Sequence, residues 1–333
     1  RTLGGGAVRR GWVRAKNSAS RYSQMMRASS HLPQGMHVFE RGWLSSNSVL
    51  LQGDGQAVLV DSGYHTQAAL LLDLLEQQLG GRAPDVLLNT HLHSDHCGGN
   101  AALAARYAQL QTWIAPGLAQ AVHGWDEDAL GFAATGQHCP RFAAQRVVQP
   151  GTCLELGGQQ WEVHAAPGHD PDAVLLFAPA TGVLLSADAL WENGFGVVFP
   201  ELDGQDAFDA VAATLDLIAK LQPRMVVPGH GTVFDDVGAA LQRARARLDH
   251  FRRKPLSHIR YGLKVLVKFK LLELQAWPLD ALYTWAGQTL YIAAVQRRHF
   301  PHMPLAELMH SVVQDLEAGG AVHSEGGVLF NAG

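Results

Sequence analysis

The stretch Asp85-Val86-Leu87-Leu88-Asn89-Thr90-His91-Leu92-His93-Ser94-Asp95-His96-Cys97-Gly98-Gly99-Asn100 decides how this chain is read. Its first part is a short apolar run of the kind that forms a buried strand. The run stops at His91, and four side chains able to bind a metal, His91, His93, Asp95 and His96, then fall within six positions. Gly98-Gly99 lets the chain turn away without steric cost. A loop of this kind aims imidazoles and a carboxylate into one cavity. Neutral imidazole and carboxylate suit zinc, and also manganese or iron. Four such groups packed so closely exceed what one tetrahedral ion can use without strain, and two neighbouring ions are the natural arrangement.

Outward from this loop the chain alternates strands and helices. Upstream, residues 36–41, 48–52 and 57–61 read as short strands and residues 65–79 as a helix stopped by Gly80-Gly81. Downstream, residues 100–108 read as a helix and 112–115 as a strand. Residues 116–123 read as a short helix, and 124–146 as a lid-like loop region. Strands are predicted over residues 146–148, 161–165, 174–178, 183–187 and 225–227, and helices over 207–221 and 236–253. Helices covering two packed sheets are the simplest layered solution, an α/β sandwich. Three more candidate ligands stand where predicted apolar strands stop: His169 in Pro167-Gly168-His169, Asp188 after Ser186-Ala187, and His230 in Pro228-Gly229-His230. Any one histidine of the 17 in this chain is ordinarily a surface or core residue. The set of seven at four strand ends is what chance does not produce. Cys97 reads as a small packing residue.

This pattern resembles the metallo-β-lactamase superfamily, whose motif is His-x-His-x-Asp-His followed by His, Asp and His at later strand ends. The resemblance runs from about Met36 to Arg253. It implies an αββα sandwich over residues 36–254. It further implies that His91, His93 and His169 bind one divalent ion and Asp95, His96 and His230 a second, with Asp188 bridging. Asp61 resembles the family's buried aspartate that orients a ligand. The implied chemistry is hydrolysis by a metal-bridging hydroxide, the water's pKa falling toward about 7, with Asp95 orienting the hydroxide or carrying its proton. The carboxylate Asp188 argues against the antibiotic-hydrolysing branch. Intact His93 and Asp95 argue against the oxygen-reducing diiron branch.

Composition bounds the rest. The chain has 333 residues, 47% of them hydrophobic, and a net charge of -4, with no global pull toward nucleic acid or anionic lipid. No apolar run approaches the roughly 20 residues of a membrane helix. Three cysteines do not make a disulfide framework, which points to a reducing, cytoplasmic compartment. Residues 1–35 carry basic residues and no acid, and read as a disordered leader or an expression-derived extension. Residues 255–333 read as helices, with Pro255 breaking the preceding one, followed by a small hairpin. This is a winged-helix-like module.

The leading functional expectation is a small ester, thioester or lactone hydrolase acting on a small-molecule substrate, with Trp191 and Phe195 near the metals suiting a partly apolar acyl group. The second is a single-strand endoribonuclease or phosphodiesterase using the basic residues between Arg243 and Lys270. A non-catalytic metal-binding role is third. No membrane partner is expected, and a homodimer is allowed.

Overall fold

The computed structural model describes residues 32–332; most of the leader predicted over residues 1–35 lies outside them. Strands β1 (Met36–Phe39), β2 (Ser48–Gly53), β3 (Gln56–Val60), β4 (Val86–Asn89), β5 (Gln111–Ile114) and β6 (Arg146–Val147) form one sheet in that order. β1, β2 and β3 pair antiparallel, and β3 to β6 run parallel. The parallel part is connected through α1 (Ala68–Leu79), α2 (Ser94–Cys97), α3 (Asn100–Arg106), α4 (Ala119–Gly124) and α5 (Glu127–Leu130). The second sheet has the order β11-β10-β9-β8-β7. Its strands are β7 (Cys153–Leu156), β8 (Gln159–Ala165), β9 (Val174–Ala178), β10 (Val183–Ala187) and β11 (Met225–Pro228). Helices α6 (Phe199–Leu202), α7 (Phe208–Leu221) and α8 (Val237–Arg253) follow its strands.

The two-residue period of a strand sorts side chains into layers. Val49, Leu51, Val58, Val60, Val86 and Leu88 face the second sheet, where they meet Leu156, Trp161, Val163, Leu176 and Leu185. Their alternates Leu50, Leu59 and Leu87 face outward, onto Leu71, Leu74 and Leu75 of α1. On the far side, Leu175, Phe177 and Leu184 pack under Val211, Leu215 and Ile218 of α7 and Leu241 of α8. These three layers of apolar contact make the αββα sandwich. β7 is absent from the expected strands because Cys153–Leu156 alternates exposed and buried positions over only four residues.

Past Lys254 the chain passes straight into α9 (Pro255–Leu274). Pro255 was expected to break the preceding helix, and it does so by starting the next one, at a position where its missing N–H costs nothing. β12 (Ala276–Pro278), α10 (Leu279–Gln288), α11 (Leu290–His299), α12 (Leu305–Ala318), β13 (Val322–Glu325) and β14 (Val328–Asn331) follow. The last two strands pair as a hairpin, and β12 adds a third strand beside β14. These elements share a separate core around Leu263, Leu271, Leu308 and Val312, which also takes in Val197 and Leu202 of the sandwich. Among the described residues no helix is long and apolar enough to cross a membrane.

Candidate metal centre

The seven ligand-type residues read from the sequence converge at one edge of the sandwich. His91 and His93 leave the end of β4, and Asp95 and His96 sit on the short α2. His169, Asp188 and His230 follow β8, β10 and β11. Three overlapping groups have donor atoms close enough to share an ion: His91, His93 and His169; His91, His96 and Asp188; Asp95, His96 and His230. His91, His96, His169, Asp188 and His230 are buried, and His93 and Asp95 are half-buried.

The hydrogen bonds behind these side chains fix which nitrogen faces the centre. His96 Nδ1 donates to Asp61 Oδ2 at 2.8 Å. His91 Nδ1 meets Thr90 Oγ1 at 3.2 Å, and that hydroxyl donates to Asp61 Oδ2 at 2.8 Å. His169 Nδ1 donates to the Val197 carbonyl at 2.5 Å, and His230 Nδ1 to the Gly42 carbonyl at 3.3 Å. With each Nδ1 proton used outward, each Nε2 of the neutral imidazoles presents a lone pair inward. His91 Nε2 and His169 Nε2 approach His93 Nδ1 to 3.1 and 2.8 Å. His93 Nε2 faces Asp170 Oδ2 at 3.7 Å. Three acceptor nitrogens aimed at one point, and a sealed His96 Nε2 without a hydrogen bond, fit a cation. Asp188 stands between the groups. Its Oδ1 is 3.4 Å from His96 Nε2, and its Oδ2 is 3.4 Å from His169 Nε2 and 3.9 Å from His230 Nε2.

Electrostatics divides the centre. Burial, which disfavours a charged imidazole, lowers the pKa of His93 and His169 to about 4 and holds His91 well below the usual range. Burial acts against charge at His96 too, but the Asp61 and Asp188 carboxylates outweigh it and raise that pKa well above the usual value. His230 is raised in the same way, by Asp188 and Asp95. Asp188 is held far below the carboxylate range, against its burial, by His230 and His96.

Backbone strain accompanies this arrangement. Asp61 and Ala187, the residue before Asp188, adopt left-handed φ of 59° and 46°, which in non-glycine residues costs about 1–3 kcal/mol each and gathers at functional sites. Gly229 is required by space: a Cβ there would lie 2.2 Å from Asp188 Oδ1.

The centre floors a cavity of about 250 Å³ walled by Trp43, Phe132, Trp191, Phe199, Tyr261 and Tyr291. Trp191 lines it, and its Nε1 donates to Asp188 Oδ1 at 3.2 Å. Phe195 does not. It is 1% exposed, in the core under α7 and α8, and packs on Phe251. The Trp191–Gly194 turn, closed by a 2.7 Å hydrogen bond, separates the two aromatics. Sequence reasoning missed Trp43, which stacks on His230 at 5.5 Å between ring centres, and also Thr90 and Asp170. The last two flank predicted ligands, and that adjacency was the available signal.

The basic residues between Arg243 and Lys270 are largely engaged. Arg245 pairs with Asp216, Arg252 with Asp209, Arg260 with Asp315 and Lys270 with Glu273. Arg243 donates to the Glu192 carbonyl, and Arg247 lies over the rings of Tyr261, Phe251 and Phe195.

A two-sheet sandwich with histidines and aspartates gathered at its strand ends is the architecture of a metal-dependent hydrolase. Residues 41–230 match the profile of the metallo-beta-lactamase superfamily, and the chain belongs to that family as a metallo-hydrolase. It is similar to the acyl-coenzyme A thioesterase MBLAC2 of Homo sapiens, with 25% identity over 62% of this chain and 82% of that protein. It is also similar to a hydroxyacylglutathione hydrolase of Dechloromonas aromatica, with 34% identity over 52% of this chain. The match spans only 52% of the length of that relative. Among solved structures, a beta-lactamase domain protein from Burkholderia ambifaria shares the fold at TM-score 0.56 and 20% identity, covering 94% of this chain and all of that one. TTHA1623, solved in a di-iron-bound form, is 28% identical at TM-score 0.50, covering 62% of this chain and 96% of that one.

Proposed function

We infer that this chain is a dinuclear thioester hydrolase for a small-molecule acyl substrate. His91, His93 and His169 would hold one ion, Asp95, His96 and His230 a second, and Asp188 would be shared. The single observation that carries the reading is the convergence of imidazole nitrogens and the Asp95 and Asp188 carboxylates at the floor of an aromatic-walled cavity. Zinc fits this nitrogen and oxygen donor set, as do manganese and iron. Two cations there would supply a water acidic near neutral pH and polarise a carbonyl.

The chain's own groups do the rest. Asp95 lies 3.1 Å from His230 Nε2, and the imidazoles of His230 and His96 favour its ionised form against the effect of burial. It receives the proton of the attacking water and returns it to the departing thiolate as the carbon–sulfur bond breaks. The aromatic walls exclude water and hold the acyl part. Thioesters are favoured over simple esters and lactones because two relatives are called an acyl-coenzyme A thioesterase and a hydroxyacylglutathione hydrolase, and both names describe an acyl group carried on sulfur. The endoribonuclease reading has less support because most of its basic stripe is engaged with carboxylates, carbonyls and rings.

Proton release by pH-stat from a panel of thioesters, esters and lactones, with zinc-reconstituted protein and Asp95→Ala as control, tests this. Turnover of thioesters that vanishes in Asp95→Ala while the fold persists is expected. Unchanged turnover in that variant would remove the site assignment.

A further inference from the structure

The cavity over the metal centre does not end there. A second space of about 420 Å³ runs along α9 and is walled by Val265, Phe269, Leu272 and Leu316, with Trp43 and Tyr261 at its inner end. Trp43, Tyr261, Val265 and Phe269 line both spaces, so the two meet on the same side chains. Tyr261, Val265, Phe269 and Leu272 recur every three or four residues, which makes one continuous stripe on the helix. At 1.5 Å per residue the stripe is about 16 Å long.

Of the three charged side chains along this groove, Lys264, Lys268 and Asp315, the last two are held by partners. Asp315 is paired with Arg260 at 2.7 Å. Lys268 Nζ donates to the Ala321 carbonyl at 2.6 Å and to Asn331. What remains is an apolar trough, and Trp43 at its junction with the cavity is 54% exposed. Exposed apolar surface of this kind, continuous with a site, marks a place where a ligand completes the burial. The cavity at the centre has room for a reacting carbonyl and its neighbours; the groove adds apolar length with no chemistry of its own.

We propose that the groove along α9 binds the alkyl tail of a medium- or long-chain acyl thioester whose carbonyl lies at the metal centre. This rests on the thioester reading above and names its substrate class. Trp43, stacked on His230, is the hinge between the reacting end and the tail. The occupant is an alkyl chain rather than a peptide or a nucleotide, because the surface from Tyr261 through Val265, Phe269 and Leu272 to Leu316 is a continuous apolar wall that matches methylenes.

The test is a chain-length series of coenzyme A thioesters, from acetyl through hexanoyl and decanoyl to palmitoyl. Each is kept below its micelle concentration, with metal-loaded full-length chain and thiol release as readout. The expected result is kcat/KM rising about fourfold per methylene, the gain for burying one CH₂, until the groove is full. Leu272→Glu, which places a charge in the trough, is expected to lower the decanoyl-to-acetyl ratio at least tenfold. Hydrolysis of acetyl and decanoyl thioesters at equal efficiency would overturn the groove and leave the thioester reading standing. If no thioester is cleaved, that reading falls, and the groove is judged by binding of decanoate through tryptophan fluorescence. A signal present in the wild type, and lost in both Trp43→Phe and Leu272→Glu, keeps it. No signal removes it. A dimer that Leu272→Glu dissociates, together with a flat series, would assign the groove to a second copy of the chain.

Discussion

Asp61→Asn is the substitution that most directly tests how the metal centre is built. Asp61 sits in the left-handed region, where asparagine is among the best tolerated residues, so the change leaves the backbone alone. Its two oxygens receive three hydrogen bonds: Thr90 N–H at 2.9 Å, Thr90 Oγ1 at 2.8 Å and His96 Nδ1 at 2.8 Å. If the amide oxygen keeps Thr90 N–H, the new NH₂ faces His96 Nδ1, and two donors oppose each other. His96 then moves its proton to Nε2, the atom that would hold the ion. The Thr90 hydroxyl must turn as well, and it drives His91 the same way. If the amide flips instead, the buried Thr90 N–H loses its acceptor, at a cost of about 1–3 kcal/mol. Loss of such an orienting partner typically weakens metal affinity by about 10–100-fold, or about 1.4–2.7 kcal/mol. Titration of zinc against a chromophoric chelator would resolve two binding steps, and both are expected to weaken by that factor, one through His96 and the other through His91. Two steps at wild-type affinity in a folded Asp61→Asn chain would refute the tautomer argument.

Other expectations follow from the same geometry. His258 is fully buried, accepts from Val198 N–H at 3.1 Å and has its pKa lowered to about 3 by burial, with Arg247 and His299 adding to it. The unfolded chain therefore binds a proton between about pH 6.5 and 3 that the fold refuses, so stability is present above pH 6.5 and falls with pH through that window. The part of the fall that His258 causes is about 2 kcal/mol by pH 5, and urea midpoints should decline less steeply with pH in His258→Gln than in the wild type by that amount. Zinc binding at pH 7 should release roughly one to two protons from the Asp95, His96 and His230 group, whose imidazoles are raised, and none from the His91, His93 and His169 group. Calorimetry in buffers of different ionisation enthalpy measures this, and equal release from both would contradict it. Phe195→Ala should cost about 3–5 kcal/mol of stability and leave KM near wild type, whereas Trp43→Ala should raise KM with little loss of stability. The reverse pattern would return Phe195 to the pocket.

The sequence carried the seven converging residues because their signal is local. An apolar strand that stops abruptly at His or Asp, often after Gly, can be read without knowing what the strand packs on. The layers were legible for the same reason, since alternation in β2, β3 and β4 already separates Leu50, Leu59 and Leu87 from their neighbours. Phe195 misled because nearness to Asp188 in sequence does not say which way the turn at Gly194 sends the next side chain. Trp43 left no trace, as a single aromatic in a loop has no period to detect. The residues past Pro255 show the deeper limit. Amphipathy located the apolar face of α9, but not that this face would reach the metal centre. It does so through the segment Val197-Val198-Phe199. His258 accepts from Val198 N–H, and Tyr291 Oη donates to the Phe199 carbonyl at 3.3 Å. The Val197 carbonyl between those anchors and β10 receives the Nδ1 proton of His169, and the Phe199 ring packs edge-on against His93 and His169. The tautomer and tilt of a candidate ligand are thus set by residues more than fifty positions away. A substitution in α9 or α11 would accordingly reach the candidate metal centre without touching any of its seven residues.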